Sequence, residues 1–447
     1  MASYDTTAGL ARDASDTELR TSLLRATLEH AWLTSPFYRT LWGRQPVDVH
    51  TPADLPALPF VTKQQIDSNL DDVVTTKGMP DLIQFTGGTM GVASLRYRTE
   101  AESRWLGERN RILEKMSGGP RKLCLHVLVP FNGPEIFVAE WPSINVPLVL
   151  EKHFRQVDGL LRREYAFDGW ERRVSTIISG LDRLKMLTTY LLERGTDFSA
   201  YGVRTIVTSA SFLSRHWRRI LEESWNARVI DVFGLSEVSD GVAVECDRCT
   251  GHHMAPIAIA EVVSLKDRTP IDAGTGILVM TGLYPFVQTQ PFIRYWTDDL
   301  VEIAPPCPAT REPGLRFRGR RSQSVVVDID GEPSPVLFPT DIVDVLDDLP
   351  EVAIEPEVIV QGLRSRDIGY HKWRVETRQT GQMPDVLVHV ELKFSPCLYR
   401  DRTRTLREQI RTDLLSRNRC CARLIEAGRL SLDVVPHEPG TIDKVIV

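Results

Sequence analysis

No run of apolar residues approaches the roughly 18 that a helical membrane span needs, so the sequence predicts no such span. Basic residues are not in excess. The 54 lysines and arginines stand against 60 aspartates and glutamates, a net charge of −6, which gives no electrostatic reason to expect nucleic acid or an anionic membrane as partner. Cysteine is scarce, with seven in 447 residues, too few for a disulfide scaffold and suggestive instead of a metal site. The opening Met-Ala-Ser-Tyr-Asp-Thr-Thr has neither the basic nor the apolar stretch of a signal peptide, which predicts a cytoplasmic protein. There is no internal repeat and no low-complexity tract.

What is present suits an ordinary soluble globular chain. With 42% hydrophobic and 26% charged residues, the chain can bury a substantial core, and its length predicts a large multi-layer domain followed by a smaller one. Ser15-Asp-Thr-Glu18 is a capping-box pattern ahead of Leu19, Leu23, Leu24, Leu28, Ala31 and Trp32, which predicts a helix over about 16–34. A Pro-rich extended connection follows. The stretch 84–94 then looks like a loop between two arms of a hairpin, with a helix over 100–116. Short apolar runs at 123–129, 146–150, 173–179, 205–209 and 229–233 alternate with helical segments at 181–194 and 214–226, the signature of an α/β layer architecture. Beyond residue 251 β-like runs dominate (257–264, 276–281, 300–303). The basic turn Gly319-Arg320-Arg321 marks a boundary. After it come strands over 325–329, 357–360, 372–377 and 386–393, with helices over 340–348 and 401–417, enough for a small α+β domain.

Three stretches carry chemistry. Gln84 to Ser94 holds three glycines and two threonines, which suits a loop wrapping phosphate: Gly87, Gly88 and Gly91 let backbone N–H groups approach an anion, and Thr86 and Thr89 add uncharged donors. Its spacing is neither the Walker nor the dinucleotide pattern. Asp231-Val-Phe-Gly-Leu-Ser-Glu237 puts a carboxylate and a hydroxyl just past an apolar run, where α/β sheets present ligands, and Glu237 is a candidate Mg²⁺ ligand. Arg294-Tyr-Trp-Thr-Asp-Asp-Leu300 sets two carboxylates behind an aromatic pair, able to accept from ribose hydroxyls. A separate constellation, Cys246-Asp-Arg-Cys249-Thr-Gly-His252-His253 with Cys307 downstream, has the spacing of a structural tetrahedral Zn²⁺ site. Its ligands read as Cys246, Cys249, His252 and Cys307; the tighter spacing favours His252, with His253 the open alternative.

Taken in chain order, these pieces resemble the adenylate-forming ligases, and most closely the branch typified by phenylacetate–coenzyme A ligase. His30-Ala-Trp-Leu-Thr-Ser-Pro-Phe-Tyr38 and Leu58-Pro-Phe-Val-Thr-Lys63 look like that branch's N-terminal signature. Thr86-Gly-Gly-Thr-Met-Gly-Val-Ala93 is similar to the family's Ser-Ser-Gly-Thr-Thr-Gly-Lys-Pro loop, Phe233-Gly-Leu-Ser-Glu237 to Tyr-Gly-Leu-Thr-Glu, and Tyr295-Trp-Thr-Asp-Asp-Leu300 to Tyr-Arg-Thr-Gly-Asp-Leu. Gly274-Thr-Gly-Ile-Leu-Val-Met-Thr281 resembles the preceding strand motif, Gly319-Arg-Arg-Ser322 the hinge Gly-Arg-x-Asp, and Gly440-Thr-Ile-Asp-Lys444 the C-terminal Gly-Lys.

The resemblance implies an α/β fold: a large N-terminal ATP- and acyl-binding domain over 1–318, with a zinc-loop β region at about 240–310, and a mobile α+β lid over 319–447. It implies an acyl-adenylate made from ATP and a small carboxylic acid, then passed to an acceptor, with coenzyme A the default. Lys444, Glu237 and Ser236 become the catalytic residues. Thr86, Gly87, Gly88, Thr89, Gly91, Asp231, Phe233, Gly234, Asp299 and Arg320 become nucleotide ligands, and Phe131, Asn132, Gly133, Ser209 and Ala210 line the acyl pocket. A homodimer is compatible with it. Transfer to an amine or carrier-protein thiol, or a degenerate nucleotide binder without turnover, are the alternatives. Departures from the family pattern are Met90 and Val92 in the loop, Asp298 for glycine, Ser322 for the hinge aspartate and Asp443 before Lys444.

Overall fold

The computed structural model describes residues 16–75, 80–86, 94–102, 104–106, 121–128, 143–356, 368–380 and 383–443. Helix α1 (Asp16–Thr34) buries Leu23, Leu24, Leu28 and Ala31 along one stripe, and a short helix with proline in its first turn, Pro36–Trp42, follows. Tyr38 is fully buried there; its hydroxyl donates to the Pro291 carbonyl (2.9 Å) and accepts from the Ile293 amide (3.0 Å). The Pro-rich connection is extended only in part: Pro52–Ala57 form a 3-10 helix, and the stretch after it runs extended, with Val61 bridged to Tyr295. These N-terminal residues thus brace the segment that carries Tyr295 and Asp299.

The expected hairpin is present. Strands β1 (Leu82–Thr86) and β2 (Ser94–Arg98) pair antiparallel, and the pair Thr86↔Ser94 closes the glycine-rich loop; residues 87–93 themselves lie outside the described set. Among the described residues the main sheet has eleven strands: β3 (Cys124–Leu128), β4 (Ser143–Pro147), β5 (Thr176–Gly180), β6 (Thr205–Ser209), β7 (Arg228–Leu235), β8 (Ser239–Glu245), β9 (His252–Met254), β10 (Ala258–Val263), β11 (Gly274–Gly282), β12 (Tyr295–Pro306) and β13 (Pro313–Arg320). Their order is β10-β11-β12-β13-β9-β8-β7-β6-β5-β3-β4. From β4 to β7 every pairing is parallel, and from β7 onward every pairing is antiparallel. The parallel half is packed by helices α2 (Glu151–Arg162), α3 (Leu181–Leu192) and α4 (Arg215–Trp225). The antiparallel half closes over a second core with α1. Strand β7 belongs to both halves, so its C-terminal end, which runs into Ser236 and Glu237, lies at the change of sheet direction.

After Arg320 the chain builds its own core from β14 (Val325–Ile329), β15 (Glu332–Leu337), α5 (Pro339–Leu346), β16 (Ile354–Glu355), β17 (Tyr370–His371), β18 (Trp373–Thr380), β19 (Met383–Glu391), α6 (Arg400–Arg417), α7 (Arg419–Glu426) and β20 (Ser431–His437). Gly319 is required at its turn. It sits at φ +97°, and a Cβ there would meet Pro339 Cγ at 2.4 Å. The two cores touch through ions: the Arg215 amide and Nε donate to the Asp344 carboxylate (2.7 and 2.8 Å), His216 Nδ1 lies 3.0 Å from Asp348, and the Tyr370 hydroxyl donates to Asp182 (3.2 Å).

Several elements escape the sequence pattern, four of them for a clear physical reason. Helix α2 has no Ser, Thr or Asp cap; the ring of His153 instead accepts from the Val149 and Leu150 amides at 3.1 Å each. Strand β15 contains Pro333 and Pro335, which a two-stranded ladder tolerates and a sequence reading counts against. Helix α7 is cut from α6 by Asn418 alone, whose side chain caps it by accepting from Cys421 N. Strand β20, interrupted by Pro436, pairs parallel to β19.

Candidate functional site

Glu237 is buried just beyond β7, where the parallel half of the sheet ends. Its Oε1 accepts from Arg96 Nη2 (2.9 Å) and from the Tyr295 hydroxyl (3.0 Å), and its Oε2 accepts from Ser236 Oγ (3.1 Å). Burial pushes the Glu237 carboxyl up, but the Arg96 guanidinium outweighs it and holds the group below the usual glutamate range. Tyr295 moves the other way: burial, reinforced by the Glu237 charge, raises its phenol and keeps it a donor. Arg98 stitches the same hairpin arm to the turn after β7, donating to the carbonyls of Ser236 (2.9 Å) and Val238 (3.2 Å).

Sequence reading missed Arg96, although a signal exists. In Ser-Leu-Arg-Tyr-Arg the alternation is inverted: Leu95 faces out at 38% exposure, while Arg96 faces in at 1%. An inward arginine opposite an outward leucine requires an anion inside.

Asp299 lies on β12. Its Oδ1 meets Arg320 Nε at 3.0 Å, its amide donates to Thr297 Oγ1 (3.0 Å), and its buried Oδ2 has no hydrogen-bond partner among the described residues. Burial pushes this carboxyl up to about 6 against the lowering pull of Arg320, and the Glu237 charge adds to the rise. Arg320 also donates to the Thr297 carbonyl (2.6 Å), which ties the hinge arginine to the segment holding Asp299. The neighbouring Asp298 takes φ +64°. Aspartate tolerates this left-handed conformation better than most residues, so the departure from glycine keeps the backbone path.

Phe233 stacks on Phe317 with centroids 3.6 Å apart and planes at 10°. Gly234 is in β7 beside it. Asp231, expected as a nucleotide ligand, is engaged within the sheet: its Oδ2 lies 3.0 Å from His252 Nε2 and its amide donates to Glu245. Ser209 ends β6, and Ala210 after it sits at φ +74°, a strained position at the ligand-facing edge of the parallel strands. Gly87, Gly88, Thr89, Gly91, Phe131, Asn132, Gly133 and Lys444 lie outside the described residues, and Thr86 is described in its backbone alone.

The cysteine constellation converges, with one correction. Cys246, Cys249, Cys307 and His253 bring their ligand atoms within 4.8 Å of one another. His252 does not join them. Consecutive residues of β9 face opposite ways, so His253 reaches Cys249 (Nε2 to Sγ 3.3 Å) while His252 turns to Asp231. The 3.8 Å between the Cys246 and Cys307 sulfurs matches the edge of a tetrahedron with metal–sulfur bonds of about 2.3 Å. Gly251 and Gly314 permit the loop to close, since a Cβ on Gly251 would lie 2.8 Å from the Gly314 Cα. The donor set and its spacing fit Zn²⁺.

No family model matches the chain. It is similar to the phenylacetate–coenzyme A ligase of Escherichia coli (strain K12), 24% identical over 397 residues that cover 84% of this chain and 82% of that protein. It is also similar to the phenylacetate–coenzyme A ligase of Aromatoleum evansii, 23% identical over 363 residues covering 76% and 78%. Among solved structures, an open conformation of 2-hydroxyisobutyryl-CoA ligase in complex with 2-HIB-AMP and CoA superimposes with a TM-score of 0.67 at 17% identity, over 96% of this chain and 89% of that one. The fold is therefore that of the adenylate-forming ligases, as the motif order implies.

Proposed function

We propose that this chain, with the fold of the adenylate-forming ligases and similarity to phenylacetate–coenzyme A ligases over most of its length, is an AMP-forming acid–coenzyme A ligase. The observation that carries the reading is the buried, unpartnered Oδ2 of Asp299 beside Arg320. A burial-raised carboxyl with one empty acceptor needs a donor, and a ribose hydroxyl supplies it. A nucleoside seated there would lie near Glu237, whose charge acts on Asp299.

In the first step a carboxylate oxygen of the acid attacks the α-phosphorus of ATP, the bond to the β-phosphate oxygen breaks, and pyrophosphate leaves. The protein's part is to position and to balance charge. Asp299 and Arg320 hold the ribose, Ser236 offers its hydroxyl to the phosphate, and Lys444 offsets charge on the α-phosphate. In the second step the thiol of coenzyme A attacks the acyl carbon and AMP departs. We read 1–318 as the domain that binds ATP and acid and 319–447 as the lid, turning about 320–322 between the steps. Mg²⁺ accompanies the ATP phosphates. Glu237 does not fit as its protein ligand here, because Arg96 already neutralises that carboxylate.

Pyrophosphate release with ATP, Mg²⁺ and hydroxylamine across aryl, aliphatic and amino acids tests the reading. An acid-dependent signal supports it, and replacing hydroxylamine by coenzyme A identifies the acceptor. Nucleotide binding with no turnover on any acid would instead select a degenerate binder.

The Asp299 carboxyl gives a pH prediction. Its folded-state value lies above the ordinary one, so its stabilising contribution is complete below the ordinary aspartate range and is lost as pH rises through about 6. Nucleoside binding has the opposite sign, because the carboxylate accepts from both hydroxyls only when ionised. Adenosine affinity, measured by calorimetry, should fall as pH drops through about 6, and Asp299→Asn should flatten that dependence.

We further propose that Cys246, Cys249, His253 and Cys307 hold a structural Zn²⁺, whose four protein ligands leave no position for water. Chelation should release one zinc per chain and lower the melting temperature, since metal binding is linked to folding. His253→Ala should lose the metal and His252→Ala should keep it; zinc retained in His253→Ala sinks the ligand set.

A further inference from the structure

Arg96 is held on several sides. It lies in the inward register of β2, opposite Gln84 and two residues past the pair that closes the glycine-rich loop. Nη1 donates to the Leu95 carbonyl (2.9 Å) and stands 3.4 Å from Asp67 Oδ1, Nη2 meets Glu237 at 2.9 Å, and the guanidinium carbon lies 5.2 Å over the Phe292 ring. Its side chain is 2% exposed and that of Glu237 10%. A fixed guanidinium is therefore already seated on the carboxylate that a divalent ion would use.

The Glu237 carboxylate has little left to offer a metal. Oε1 takes two donors and Oε2 takes one. Mg²⁺ demands near-octahedral geometry at about 2.0–2.1 Å and gives up water reluctantly. An ion on either oxygen would stand within a few ångströms of a cation that cannot deprotonate. The surrounding sequence agrees: the loop has Val92 in place of the lysine that the resemblance expects, and the cations sit instead on the strand, as Arg96 and Arg98.

We propose that Arg96 is the resident counter-charge of Glu237, a positioning residue that fills with a guanidinium the place at Glu237 otherwise given to Mg²⁺, so that divalent ions enter the site only on nucleotide phosphate. The proposal rests on the reading of Glu237 as lining the ATP site. Arg96 thereby keeps Glu237 ionised and locks the hairpin under the phosphate loop to the turn at 236–238.

Mn²⁺ binding to the full-length, zinc-loaded protein, read from loss of the free-ion EPR signal with and without AMP, tests this. The wild type is expected to show no Mn²⁺ site that Glu237→Gln removes. Arg96→Met, which removes the guanidinium from Glu237, is expected to open a site that Arg96→Met/Glu237→Gln lacks. One wild-type Mn²⁺ lost in Glu237→Gln overturns the proposal. Should Arg96→Met fail to fold, ATP binding in EDTA decides: Glu237→Gln releases Arg96 towards phosphate and should tighten metal-free ATP several-fold, whereas unchanged or weaker binding overturns the idea. A wild type that binds ATP neither with nor without Mg²⁺ would refute the nucleotide site itself, and the manganese comparison would still decide the role of Arg96.

Discussion

Glu237→Ala is expected to lower acid-dependent pyrophosphate release by about 10²–10³-fold and to destabilise the protein by about 3 kcal/mol, the low end for a broken buried ion pair. Both effects have one cause. Without the carboxylate, Arg96 keeps its burial but loses its 2.9 Å partner, retaining Asp67 at 3.4 Å as a weaker one, and this residual pairing is why the smaller figure is chosen. Tyr295 loses its acceptor as well. The site is left with an extra positive charge, and the turn at 236–238 loses its tie to the β1–β2 hairpin through Arg96. Glu237→Gln should recover part of the stability, because the amide oxygen still accepts one of the two donors. Pyrophosphate release and thermal melting measured on the same preparations check both halves. Wild-type turnover in a stable Glu237→Ala protein would remove Glu237 from the site altogether.

The ion pair also shows where the sequence stops being legible. Glu237 stood out because it lies just past an apolar run, and Asp299 because it stands behind an aromatic pair in a motif whose order along the chain is informative. The alternation of strands and helices from β3 to β7 was readable because parallel strands buried on both faces are apolar throughout. Arg96 was not, since the identity of its partner 141 positions away is a tertiary fact and local pattern marks only the oddity of an inward arginine. The convergent cysteine and histidine ligand candidates were readable as a set but not to the residue. Spacing chose His252, and the pleat of β9 chose His253. The same limit hid α2, whose cap is a histidine reaching backward, and β15, whose prolines are tolerated because its ladder has only two strands. In each case a side chain took a role that its type rarely fills.

On the proposed reading, Lys444→Ala is expected to slow acyl-adenylate formation by about 10²–10³-fold while leaving thioester formation from a preformed acyl-adenylate nearly unchanged, because a turn of the proposed lid would withdraw this lysine before the second step. The segment just before it is anchored. Glu391 is buried at 3% exposure on β19, and its Oε2 accepts from the Ile442 amide at 2.7 Å. Burial pushes its carboxyl up, but the amides of Gly440, Ile442 and Thr441, with Lys372, hold it below the usual glutamate range. The chain is thus gripped by three successive amides two residues short of Lys444. Glu391→Gln, which replaces a charged acceptor by a neutral one, should loosen that grip and slow adenylation by about tenfold, since misplacement by an ångström costs up to about 10²-fold. Single-turnover measurements of the two half-reactions check both variants. A Glu391→Gln protein slowed equally in both would make Glu391 a support of the fold, whereas a selective loss in the first ties the buried carboxylate to the aim of the lysine.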